Sequence, residues 1–119
     1  MATKPSEITK KIKQFLREFE KSASIESVHL FGSHALGTAK KDSDIDLAVV
    51  SPVFASMELF DRLVFLGKVA WRAGTPEIEA IGYTHEEFFN APPWEFASEV
   101  RKNGKTLPIL WKTAVGARH

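Results

Sequence analysis

The chain has 119 residues, with 16 Lys and Arg against 15 Asp and Glu, a formal net charge of +1 and no cysteine. That length fits one domain over residues 1–119, and the lack of cysteine excludes a disulfide framework and a thiolate metal site. The balanced charge gives no global sign of a nucleic-acid binder, and the apolar runs are too short to span a membrane. The Lys-rich start lacks the apolar centre of a signal peptide, so the expected location is cytoplasmic.

From Ser6, a plausible N-cap, Ile8, Ile12, Phe15, Leu16 and Phe19 recur at helical spacing. Lys10, Lys11, Lys13 and Arg17 between them read as a solvated face rather than a nucleic-acid contact. Residues 25–31 read as a strand stopped by Gly32, and a polar segment follows over residues 33–43. A β-branched strand over residues 45–50 ends before Pro52, where a ladder donor is missing. Residues 57–72 predict a second helix that buries Leu59, Phe60, Leu63, Val64 and Ala70, with Gly74 just past its end.

A short third strand is expected over residues 77–81. Thr84 and Glu87 have capping-box spacing and open a short helix. Pro92 and Pro93 start a last helix near Trp94, running to about Lys102 with Gly104 as its stop. Residues 106–111 form a final strand, which Pro108 restricts to an edge, and residues 113–119 are expected to be a disordered tail. Alternating helices and strands predict an α/β or α+β chain with a mixed sheet. Trp71, Trp94, Trp111, Phe54, Phe88 and Phe89 are expected mostly in the core, with one or two free to anchor a protein partner.

The chemistry-bearing stretch is Gly32-Ser33, coming straight off a strand, followed by Asp44 and Asp46 at the opening of the next. Residues two apart on a strand share a face, so both carboxylates can offer oxygen to hard divalent cations. Paired cations would neutralise the attacking and leaving oxygens of a phosphoryl displacement. Gly32 allows a phosphate close to the backbone, and the Ser33 hydroxyl with nearby amides can bind its oxygens. Lys40 and Lys41, in the same loop, could meet triphosphate oxygens.

Gly32-Ser33, ten residues, then Asp44-x-Asp46 resembles the G-S-x10-D-x-D signature of the DNA polymerase β-like nucleotidyltransferase superfamily. Four fixed residues at that spacing arise by chance in roughly one chain in a thousand of this length. The short chain is similar to the minimal nucleotidyltransferases paired with HEPN-domain toxins in toxin–antitoxin systems. The resemblance implies the superfamily's catalytic core, a mixed sheet flanked by helices, and a third carboxylate on a later strand. Glu77 and Glu79 are both candidates, and Glu79 is preferred because it lies within the apolar run from Ile78 to Ile81.

The implied activity is transfer of a nucleoside monophosphate, AMP from ATP, with two Mg²⁺ ions held by Asp44, Asp46 and Glu79. The implied acceptor is a tyrosine of a partner HEPN toxin, in a homo- or hetero-oligomer. The alternative is a non-catalytic antitoxin that neutralises its partner by docking. His34 stands where family members often carry Arg, and an imidazole would hold a triphosphate less firmly than a guanidinium.

Other readings of these residues fail. An EF-hand from Asp42 needs Gly at Leu47 and Glu at Val53, and a P-loop from Gly32 lacks its lysine, because Thr38 follows Gly37 directly. His29 and His34 fall on a strand and a loop without further ligands nearby, so they read as ordinary histidines, and His85 as a first-turn helix residue.

Overall fold

Helix α1 forms where the helical stripe is strongest, over Pro5–Glu20, and buries Ile12, Phe15, Leu16 and Phe19. The computed structural model describes residues 5–40 and 42–108. Among these, α1 is followed by β1 (Ser27–Phe31), the four-residue α2 (Ser33–Leu36) and β2 (Ile45–Val50). A 3-10 turn over Pro52–Ser56 leads to α3 (Leu59–Ala73) and β3 (Ile78–Tyr83). The chain then forms α4 (His85–Phe89), α5 (Phe96–Asn103) and β4 (Lys105–Thr106).

The sheet order is β3-β2-β1-β4, with β1 antiparallel to both its neighbours and β2 parallel to β3. A parallel pair needs a crossover, and α3 supplies it. The mixed sheet flanked by helices is the architecture expected from the sequence. Strand alternation separates two apolar clusters. Val28, Leu30, Ile45, Leu47, Val49 and Ile78 join α1 and α3 on one face. Ala48 and Val50, with Phe31, Ile81 and Tyr83 partly buried, meet α4 and α5 on the other.

Several expectations are corrected. The polar segment after Gly32 opens with a helical turn, α2, rather than a loop throughout. Strand β1 starts two residues later than the pattern predicted, and β3 begins at Ile78 and runs on to Tyr83. Helix α5 begins at Phe96, leaving Trp94 before it and 83% exposed. Among the described residues, Lys105–Thr106 of the last strand lie in the sheet, at its edge; residues 109–111 of the expected strand, Trp111 among them, and the tail over residues 113–119 fall outside the described residues.

The largest correction is to α3. Of the five residues expected inside, Ala70 is buried, whereas Leu59, Phe60, Leu63 and Val64 are exposed. The helix turns a different stripe to the sheet: Arg62, Leu66, Val69 and Ala70. Arg62 is only 7% exposed. Its five N–H donors are all used, by the carbonyls of Phe54, Met57 and Gly82 and by both carboxylate oxygens of Glu87. This one side chain ties the 3-10 turn, the end of β3 and α4 together. Gly82 belongs to the same junction, because a Cβ there would sit 2.6 Å from the Phe54 ring. Phe54 and Phe88 are fully buried and Phe89 half-buried, whereas Trp71 is 82% exposed.

Candidate active site

Strand register builds the site. Asp46 pairs across β2 with Glu79 on β3 and across β1 with Phe31. Directly paired residues share a face, so Phe31, Asp46 and Glu79 form one row on the α4–α5 side, with strands about 4.8 Å apart. Further along this face Ala48 and Val50 are buried under α4 and α5, whereas Asp46 is half-buried and Glu79 exposed. Asp44 precedes β2 by one residue and is exposed.

Asp46 and Glu79 line a cleft of about 350 Å³, walled by Phe31, by Leu63, Leu66 and Gly67 of α3, and by β3. Burial, then the negative charges of Glu79 and Asp44, push the Asp46 carboxyl above its ordinary range, and His34 partly opposes them. Asp46 therefore feels the charge of both other acids.

Gly32 is required by its contact with Asp46. Its φ is +72°, in the region that favours glycine, and a Cβ on it would overlap Asp46 Oδ2. The amides of Ala35 and Leu36 turn back onto the Gly32 carbonyl at 3.1 Å each, which places Ser33 and His34 at the open start of α2. Ser33 is half-buried there. His34 Nε2 lies 3.3 Å from the Ser43 carbonyl, and Ser43 Oγ accepts the Lys40 amide at 2.7 Å, so the loop before Asp44 is held at both ends. Lys40 is exposed in this loop, and Lys41 lies outside the described residues.

Glu77 is placed elsewhere. It precedes β3, and its Oε2 accepts from Lys11 Nζ of α1 at 2.6 Å, a bond that holds its carboxyl below the ordinary range. His29 is buried, stacked on Phe88 and hydrogen-bonded to Ser27 and Thr106, while His85 pairs with Glu26. Both are structural.

The donor set suits a hard divalent cation in kind: three carboxylates, with no ion pair to Asp44, Asp46 or Glu79 among the described residues. Among those residues no three such side chains converge closely enough to enclose an ion, so Asp44 and Glu79 flank Asp46 without closing on it. Sequence reasoning missed Phe31 and the α3 wall. Phe31 had a signal, since it directly precedes Gly32; the wall depends on packing and had none.

Two solved structures share the fold. A protein of Sulfolobus solfataricus provisionally assigned as a nucleotidyltransferase is 24% identical, with a TM-score of 0.64, over 84% of this chain and 78% of its own. A toxin–antitoxin crystal structure with AMP-PNP is 22% identical, with a TM-score of 0.55, over 88% of this chain and 75% of its own. Among curated proteins none matches the chain significantly. The nucleotidyltransferase domain family matches residues 9–105, which takes in α1 from its second turn on, Gly32-Ser33, the acidic row and α5. On that match, and with the fold the two structures share, the chain belongs to the nucleotidyltransferase domain family.

Proposed function

We propose that the chain is a Mg²⁺-dependent adenylyltransferase that moves AMP from ATP to a tyrosine hydroxyl of a partner HEPN-type toxin, and so serves as an antitoxin. The observation that carries this reading is the row of Asp46 and Glu79 on adjacent strands, with Asp44 two residues before and Gly32 packed against Asp46. The choice of ATP and of a protein partner draws on the toxin–antitoxin neighbour, whose crystal held AMP-PNP.

In the reaction the acceptor hydroxyl loses its proton to solvent, its oxygen attacks the α-phosphorus, the bond to the bridging oxygen breaks, and pyrophosphate leaves. Asp46, with Asp44 and Glu79 closing on it from either side, would supply the carboxylate oxygens for Mg²⁺, and the bound ion would neutralise charge on the attacking and leaving oxygens. Glu79, exposed at the sheet edge, would lie nearest the acceptor. Gly32 leaves room for the triphosphate, and the Ser33 hydroxyl with the first amides of α2 would bind its oxygens. Lys40 and Lys41 would add positive charge from the loop.

Docking without catalysis is the second reading, favoured by the exposed Trp71 and Trp94. Incubating the pair with α-labelled ATP and Mg²⁺ separates the two. Label on the partner, lost when its acceptor tyrosine is changed to Phe, supports transfer; toxin neutralised without label sinks it.

Two expected results test the residue roles. Glu79→Gln should lose most activity, whereas Glu77→Gln should keep it and lose under about 1 kcal/mol of stability from its half-exposed pair with Lys11. The reverse pattern in a transfer assay would move the third ligand to Glu77. Ser33→Ala should weaken nucleotide binding about three- to tenfold, the worth of one typical hydrogen bond. Gly32→Val should weaken it further, because its side chain would enter the space of the Asp46 carboxylate at a positive φ. Calorimetric titration with a non-hydrolysable nucleotide measures both, and parent-like binding by both variants would place the triphosphate elsewhere.

A further inference from the structure

Helix α3 shows its sheet-facing stripe inward and a second apolar stripe outward. Phe60, Val64, Gly67 and Trp71 follow one another at steps of four, three and four residues, the spacing of a helix–helix seam. Phe60 is 74% and Trp71 82% exposed, with Val64 40% exposed between them. Leu59 and Leu63 widen the stripe on one flank. A Cβ on Gly67 would meet nothing within 4 Å, so the middle of the stripe is a shallow notch between large side chains.

The charges along the same helix are arranged by sign. Asp61 lies in its first turn and Arg72 in its last, with Lys68 one turn before Arg72. A second α3 laid parallel would set Asp61 against Asp61 and Arg72 against Arg72. Laid antiparallel, each end meets its opposite, and the two helix dipoles also oppose. The stripe thus carries its own complement in shape and in charge, as a two-fold interface requires.

We propose that two copies of this chain associate through antiparallel pairing of α3, about a two-fold axis passing between Val64 and Gly67. In this register Phe60 of one copy packs on Trp71 of the second, and Val64 fills the notch left by Gly67. Asp61 lies opposite position 70, between Lys68 and Arg72 of the second copy. Leu63 and Gly67 also wall the cleft that holds Asp46 and Glu79, so the second helix runs along the rim of that cleft. The pairing does not depend on the proposed reaction.

Sedimentation of the full chain should show a concentration-dependent dimer. Gly67→Glu should raise its dissociation constant at least about 100-fold by filling the notch with a charge. Asp61→Lys should weaken it about three- to tenfold, and combining it with Lys68→Glu and Arg72→Glu should restore it. These positions are exposed, so the circular dichroism melt should hold. The chain has no cysteine, which permits a second test that does not rely on a disruptive variant.

Phe60→Cys and Trp71→Cys chains should cross-link when mixed and not when alone. Like positions would lie roughly 16 Å apart along the axis at 1.5 Å per residue, and a mixed dimer keeps one Phe60–Trp71 contact. A chain that stays monomeric at about 200 µM overturns the proposal. So do a dimer indifferent to Gly67→Glu, cross-linking of either cysteine chain with itself alone, and capture of a different protein on this stripe by a chain monomeric by itself.

Discussion

Asp46→Asn is expected to lower metal-dependent nucleotidyl transfer by roughly three orders of magnitude or more, several kilocalories of transition-state stabilisation, while the chain stays folded. Asp46 occupies the centre of the site: it pairs in register with Glu79, lies against Gly32, and takes charge from Asp44 two residues away. Asn keeps the shape and one oxygen but removes the negative charge that a hard cation needs. Asp44→Asn should act in the same direction.

Stability should move the other way. Burial and its acidic neighbours raise the Asp46 carboxyl in the folded chain, so the folded state binds a proton more readily than the unfolded one. Between the unfolded and the folded value, rising pH therefore costs stability, and near neutrality the ionised group is a net burden. Asp46→Asn should melt a few degrees higher than the parent without metal, and Mg²⁺ should raise the melting point of the parent but not of the variant. Retained transfer by the purified variant would remove Asp46 from the mechanism. A variant that melts lower would show that the acidic cluster carries no strain.

Arg62→Met is expected to destabilise the fold by about 3–5 kcal/mol, because it leaves a carboxylate and three carbonyls without their donor. The guanidinium is buried, and its bonds to Phe54, Met57, Gly82 and Glu87 run from 2.6 to 3.1 Å. Glu87→Gln should cost less, since Gln keeps an oxygen for one Arg62 N–H and only the counter-charge to the buried guanidinium is lost.

The pair also predicts a pH dependence. Hydrogen bonds from Arg62 hold the Glu87 carboxyl below its ordinary value. Its contribution is full above the unfolded value and is lost as pH falls through the lowered folded one, so it adds a rising slope to stability on the acid side. Urea denaturation from about pH 3 to 5 should show that slope flattened in Glu87→Gln. An Arg62→Met chain that unfolds at the parent's urea midpoint would show that the junction holds by packing around Phe54 alone.

What the sequence determined by itself was local. Gly32-Ser33 and Asp44-x-Asp46 are read directly from spacing, the capping box at Thr84 and Glu87 forms as written, and α1 buries the stripe it displays. Each rests on contacts within a few residues or on one unambiguous period, and strand-helix alternation was enough to give a mixed sheet flanked by helices. Tertiary structure decided whatever depended on a choice between local equals. Helix α3 carries two apolar stripes, and helical periodicity favours neither; the sheet took Leu66, Val69 and Ala70 together with Arg62, because carbonyls and a carboxylate were waiting for its five donors. Glu77 and Glu79 share strand parity in the sequence, but β3 starts at Ile78, so Glu77 is free to swing to Lys11 while register holds Glu79 beside Asp46. Pairing between strands 33 residues apart, as Asp46 and Glu79 are, is set by the closure of the whole sheet and leaves no mark in either segment alone.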